Sequence, residues 1–86
     1  MKLSVELTLN PLKDDFEPPI KDFIKSLRDS GFTVLENPLS TQIYGEYRPL
    51  MHFLTSAIQE VFENQESVVL QMKLIKGDRS SYVPTF

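Results

Sequence analysis

Compact polar side chains stand beside aromatic and aliphatic ones in two short segments, Asn10-Pro11-Leu12-Lys13-Asp14-Asp15-Phe16 and Leu39-Ser40-Thr41-Gln42-Ile43-Tyr44-Gly45-Glu46. Hydroxyls, amides and carboxylates set against ring-sized apolar walls suit a pocket for a small, flat, polar molecule. The chain offers little that would do covalent chemistry. It has no cysteine, hence no thiolate nucleophile, no thiolate metal site and no disulfide framework. Its one histidine, His52, follows Met51 off the main apolar stripe of a helix and reads as a surface residue, so neither a zinc site nor a serine triad has its base. The three glycines are isolated, which excludes a glycine-rich phosphate cradle. Asp14 and Asp15 open a helix, where the dipole and free N–H groups account for adjacent acids.

These segments must be held by regular elements. Residues 3–9 alternate, with Leu3, Val5, Leu7 and Leu9 on one side and Ser4, Glu6 and Thr8 on the other, the period of a half-buried strand. Asn10-Pro11 is expected to end that strand. Asp14 or Asp15 is expected to cap a helix that carries Pro18 and Pro19 in its first turn and Ile20, Phe23, Ile24 and Leu27 at helical spacing. Gly31 is placed to close it in the left-handed conformation. Phe32–Glu36 predicts a second strand and Ser40–Tyr47 a third, with Gly45 marking a bulge or a close approach. Pro49 is expected to open a second helix with the stripe Leu50, Phe53, Leu54, Ala57, Ile58, Val61 and Phe62. After a turn at Asn64–Ser67, Val68–Ile75 predicts the last strand, with Val68, Leu70, Met72 and Leu74 inward and Val69, Gln71 and Lys73 outward.

The order strand, helix, strand, strand, helix, strand predicts an α+β protein, a two-layer ferredoxin-like βαββαβ sandwich on an antiparallel four-stranded sheet. The domain is expected over residues 1–78, followed by a polar tail over 79–86 with two aromatics, either mobile or docked on a partner. The outward sheet face collects Glu6, Thr8, Asn10, Gln42, Tyr44, Glu46, Gln71 and Lys73, with Val69 and Ile75 among them. Such a mixture fits an ordinary solvated face or a wet oligomer interface. Alternation turns Thr41 and Ile43 toward the helices, while Ser40 and Gln42 point away; Thr41 can serve the hairpin or a ligand.

A formal charge of −3 with no basic run speaks against nucleic-acid binding. No segment approaches the ~18 apolar residues of a spanning helix, and the alternating N-terminus is unlike a signal peptide. A cytoplasmic protein without membrane insertion is expected. At 86 residues a deep internal chamber would be costly, so a groove at an element boundary or between subunits is the expected site.

At these residues the chain resembles the thiamine-binding, YkoF-like family of single or tandem ferredoxin-like domains. The likeness runs from Val5 to Asp78. It rests on the strand entering Asn10-Pro11-Leu12, on Asp14-Asp15-Phe16 before a helix, and on Leu39-Ser40-Thr41, Gly45 and a last strand ending in Gly77-Asp78. The resemblance implies non-catalytic binding of thiamine or its hydroxymethylpyrimidine moiety, in uptake or salvage, with no cofactor or metal and with a transporter as a possible partner. Because tandem members use two domains, it also implies a homo-dimer or homo-tetramer here.

On that basis the Ser40 and Thr41 hydroxyls donate to ring nitrogens, and Asn10, Asp15 or Glu46 accepts from the amino group. Thr8 lies on the same exit of the first strand, and Phe16, Tyr44, Tyr47 or Phe53 supplies the ring faces. The site is expected where the first strand's exit, the Ser40-Thr41 corner and the second helix meet. The alternative is a ferredoxin-like homo-oligomerising or regulatory domain with a different ligand or none. An acylphosphatase-like hydrolase would want an arginine in the loop after the first strand, and that loop is acidic. RNA binding would want an aromatic-rich central strand, which is absent.

Overall fold

Alternation decides the first strand. The structure, a computed structural model, describes residues Met1–Phe86. Strand β1 spans Lys2–Pro11 and buries Leu3, Val5, Leu7 and Leu9, each less than a tenth exposed. It runs two residues further than the sequence predicts, pairing Asn10 with Val69 and Pro11 with Val68. The Leu12 N–H is donated to the Ser67 carbonyl, so position 11 faces the other side of the strand. There the pairing with β3 has already stopped at Leu7–Thr41, and the missing proline donor costs no ladder bond.

Helix α1 spans Glu17–Arg28 and buries Pro19, Phe23 and Leu27. Neither Asp14 nor Asp15 caps it: Phe16 occupies the cap position, and no side chain bonds there. The reason is chemical, because a cap carboxylate normally receives the N–H of the second or third helical residue. Here those residues are Pro18 and Pro19, which have none. Gly31, at φ +85°, turns the chain in the left-handed region as predicted.

Strands β2 (Thr33–Glu36) and β3 (Thr41–Glu46) form a hairpin, and β3 pairs with β1. The register through Gly45 is continuous, so there is no bulge. Instead, a Cβ at Gly45 would lie 2.6 Å from Phe32 Cδ1, and glycine makes room for that ring. Helix α2 spans Tyr47–Asn64 and starts two residues earlier than Pro49. The Tyr47 N–H is donated to the Met1 carbonyl at 2.9 Å, which satisfies a free donor of the first turn from outside the helix. Phe62, about 100° round the helix from Val61, is half exposed rather than part of the buried stripe.

Strand β4 (Val68–Lys76) completes an antiparallel sheet in the order β2-β3-β1-β4, the ferredoxin-like βαββαβ sandwich. Both helices pack chiefly over β1 and β3. Val68 and Leu70 therefore reach the core, whereas Met72 and Leu74, on the helix side by register, remain exposed. Leu27, Ile43, Leu50, Leu54 and Val5 are fully buried between the layers. No helix is long and apolar enough to cross a membrane.

Candidate functional site

Register builds the helix-free face of the sheet row by row. Leu35 of β2, Gln42 of β3, Glu6 of β1 and Lys73 of β4 lie side by side across all four strands. The adjacent row is Thr33, Tyr44, Ser4 and Ile75. Over this second row the chain turns back on itself. Gly77, at φ +103°, reverses direction. The Ser4 hydroxyl then donates to the Gly77 carbonyl at 2.7 Å and accepts the Arg79 N–H at 2.9 Å. The Tyr82 N–H closes a further turn onto the Arg79 carbonyl at 3.1 Å. Residues 77–82 thus turn back onto their own sheet, a placement that the sequence pattern does not predict; Val83 and Phe86 beyond them are exposed.

Folding back leaves a groove of about 500 Å³ between the strand rows and this segment, with Glu6, Gln42, Tyr44, Lys73, Arg79 and Tyr82 among its walls. Tyr44 and Ser4 are buried although they lie on the outward face, because the returning segment covers them. Burial pushes the Tyr44 phenol above its usual range, and the charges of Asp78 and Glu6 push the same way. The phenol stays protonated and its O–H is donated to Gln42 Oε1 at 3.2 Å, leaving the Gln42 amide N–H groups free. Glu6 accepts the Ser40 hydroxyl at 3.0 Å and stands 3.9 Å from the Lys73 ammonium. The groove therefore places a carboxylate acceptor next to an amide donor, beside two tyrosines and the apolar Leu35 and Ile75. No group of three or more His, Asp or Glu side chains converges to hold a metal ion.

The residues singled out from the sequence fall into four places. Thr8, Asn10, Ser40 and Thr41 come together at a second, smaller crevice of about 280 Å³, whose helix wall is Ile20, Phe23 and Ile24 of α1. The start of the expected wall, α2, lies at the other end of β3. It follows Glu46 directly, while Ser40 precedes that strand and Thr41 opens it, roughly 17 Å away at ~3.3 Å per residue. Glu46 and Phe53 go with α2. Glu46 pairs with the N-terminal amine at 3.2 Å and with Lys2 at 3.5 Å, which holds its carboxyl below the usual range, the amine contributing most. Phe53 packs on Phe32, ring centres 5.8 Å apart. Asp15 is exposed in the loop before α1 and lines neither concavity. Tyr44 alone of the eight lines the larger groove. Ser4, Arg79 and Tyr82 were missed. Period-two alternation already put Ser4 and Glu6 beside Tyr44 and Gln42, but the fold-back of the tail has no periodic signal beyond the turn residues Gly77-Asp78.

The sequence matches no family model, and no curated protein is detectably similar to it. Solved structures are similar over most of the chain. A protein from Streptococcus pneumoniae aligns with a TM-score of 0.83 at 28% identity, over 94% of this chain and 92% of that one. A protein from Thermotoga maritima, provisionally assigned to thiamine biosynthesis or salvage, aligns with a TM-score of 0.78 at 20% identity, over 86% of this chain and 82% of its own. A domain of unknown function from Bacillus cereus aligns with a TM-score of 0.72 at 17% identity, over 99% and 84% of the two chains. At their identities the Thermotoga and Bacillus structures show the shared fold alone.

Proposed function

We propose that this protein binds thiamine or its hydroxymethylpyrimidine moiety without turning it over, in thiamine uptake or salvage. One observation carries the proposal: Glu6 and Gln42 stand side by side in a groove of about 500 Å³ walled by Tyr44 and Tyr82. That volume falls within the ~300–1,000 Å³ typical of small-molecule sites. So does a concavity of about 900 Å³ at the start of α2, but there Glu46 is already paired with the N-terminal amine and Lys2. The crevice at Thr41 falls just below that range. An aminopyrimidine presents an amino donor next to a ring-nitrogen acceptor. A carboxylate that accepts and an amide that donates, on adjacent strands, match that edge. The tyrosine rings and the Glu6 charge suit a flat cationic thiazolium. The name of the Thermotoga neighbour points the same way.

The test is thermal stability with thiamine, hydroxymethylpyrimidine and unrelated heterocycles. A ligand at a hundred times its dissociation constant adds about 2.7 kcal/mol, which in a domain of this size raises Tm by roughly 10 °C or more. A rise with both pyrimidines and none with the other heterocycles is expected. No rise with any pyrimidine removes the proposal.

A second reading, a homo-oligomerising or regulatory domain with another ligand or none, is favoured by strand β4. This nine-residue edge is unpaired on one side and exposes Met72 and Leu74 toward the helix layer and Val69 and Ile75 on the opposite face. Open apolar edges of that kind pair with further strands. Light scattering that finds only monomers at all concentrations counts against it.

A further inference from the structure

The groove carries charges of both signs. Glu6 is the one carboxylate among its walls, and it is partly engaged by Ser40 and Lys73. The segment that folds back brings Arg79 and Ser80 to the walls of the same groove that Lys73 of β4 lines. Asp29, Asp22 and the other acids of the helix layer lie behind the sheet. The carboxylate nearest to Arg79 in sequence, Asp78, accepts the Ser80 N–H at 2.9 Å, and hydrogen bonding from the Ser80 side chain and then its backbone holds the carboxyl below the usual range. Arg79 itself takes part in none of the chain's ion pairs. Its backbone is nevertheless held in place, because its N–H is given to the buried Ser4 hydroxyl and its carbonyl receives the Tyr82 N–H. A guanidinium that is unpaired in the folded chain, carried on an anchored backbone and facing a groove beside a lysine, is suited to bind a planar or tetrahedral oxyanion through paired N–H bonds.

We infer that the groove recognises a phosphorylated ligand, with Arg79, Lys73 and Ser80 receiving the phosphoryl group of a phosphomonoester while Glu6 and Gln42 hold its aminopyrimidine. This inference rests on the pyrimidine-binding function proposed above and specifies its ligand. A molecule with a cationic ring and an anionic end complements a groove whose walls carry one carboxylate and two cations, one of them, Arg79, free of any ion pair. Ser4 acts as a positioning residue: it touches the returning segment and keeps Arg79 over the sheet.

The experiment is calorimetric titration of the full chain with thiamine, thiamine monophosphate and inorganic phosphate, for the native protein and for Arg79→Gln. Arg79 is exposed, so the substitution leaves the core intact. The monophosphate is expected to bind about tenfold more tightly than thiamine, the gain of a charge-assisted paired contact. Arg79→Gln should abolish that preference, bringing the ratio of the two affinities to about one, and Ser4→Ala should reduce it. Added salt should weaken monophosphate binding more than thiamine binding. Equal affinity for the two vitamers in the native protein overturns the inference and leaves the proposed function standing. A preference that survives Arg79→Gln overturns the assignment of the anion end. Binding of neither compound removes the function and the inference together.

Discussion

Replacing Glu6 with glutamine probes the groove at its most informative point. Glutamine keeps the shape and an acceptor oxygen for the Ser40 hydroxyl, which now sits 3.0 Å from Glu6 Oε2, so the strand and its neighbours should be undisturbed. The Lys73 contact at 3.9 Å, with a lysine side chain nearly three-quarters exposed, is worth little to stability. What the substitution removes is charge. A hydrogen bond to a charged acceptor is worth about 1 kcal/mol more than one to a neutral acceptor. A cationic ring roughly 6 Å from the carboxylate adds about 1 kcal/mol at the effective dielectric of a half-open groove. Thiamine should therefore lose about 1–2 kcal/mol, or roughly 5- to 30-fold in affinity. Neutral hydroxymethylpyrimidine keeps only the hydrogen-bond loss and should weaken less than tenfold, about 1 kcal/mol. Calorimetry with both ligands on native and Glu6→Gln protein reads the difference directly. Equal losses for the cationic and neutral ligands, or no loss for either in a variant of unchanged Tm, would refute the role assigned to Glu6.

Three further outcomes are expected. Thr41→Val, which acts at the α1 crevice and not in the larger groove, should change thiamine affinity by less than about twofold, within the range of a substitution away from the contact; a loss beyond that in calorimetry would move the site to the crevice. Gly45→Ala should lower stability by about 1–2 kcal/mol, because the new methyl displaces the Phe32 ring at 2.6 Å and disturbs its packing on Phe53; urea unfolding with an unchanged midpoint would contradict the close approach. In acid, Glu36, Glu46 and Asp78 all have carboxyls held below their usual values, by the Arg28 hydrogen bond, the N-terminal amine and the Ser80 hydrogen bonds respectively. Depressed carboxyls contribute stability that is complete above the unfolded value, 4.5 for Glu36, and is lost as pH falls through the lower folded value. Tm should fall in that window, and less steeply in Glu36→Gln; parallel curves for the two proteins would show that the Arg28–Glu36 pair, 2.5 Å at its shorter contact, contributes nothing.

The sheet and its order were readable because burial imposes a period. Leu3, Val5, Leu7 and Leu9 must share a face in any strand, and two helices with apolar stripes must share that face. Cap chemistry was less readable. Asp14 and Asp15 carry the side chains of a cap, yet the prolines they would serve lack the donors, a conflict visible only once the helix start is placed to the residue. The groove was half readable. Alternation assigned Glu6, Gln42 and Tyr44 to one face, but which residues stand opposite one another depends on register, and no local pattern fixes register between strands distant in sequence. The returning segment was not readable at all. Its anchor, Ser4, lies 75 residues from Arg79, and a single serine on an outward face is ordinary until the chain that covers it is seen.

The most direct test of the groove as the recognition site is to titrate isotopically labelled protein with thiamine and follow its backbone amide resonances. Shifts should concentrate at Ser4, Glu6, Gln42, Tyr44, Lys73 and Ser80 and saturate together. No shifts at saturating thiamine, or shifts confined to Thr8, Asn10, Thr41 and helix α1, would contradict it.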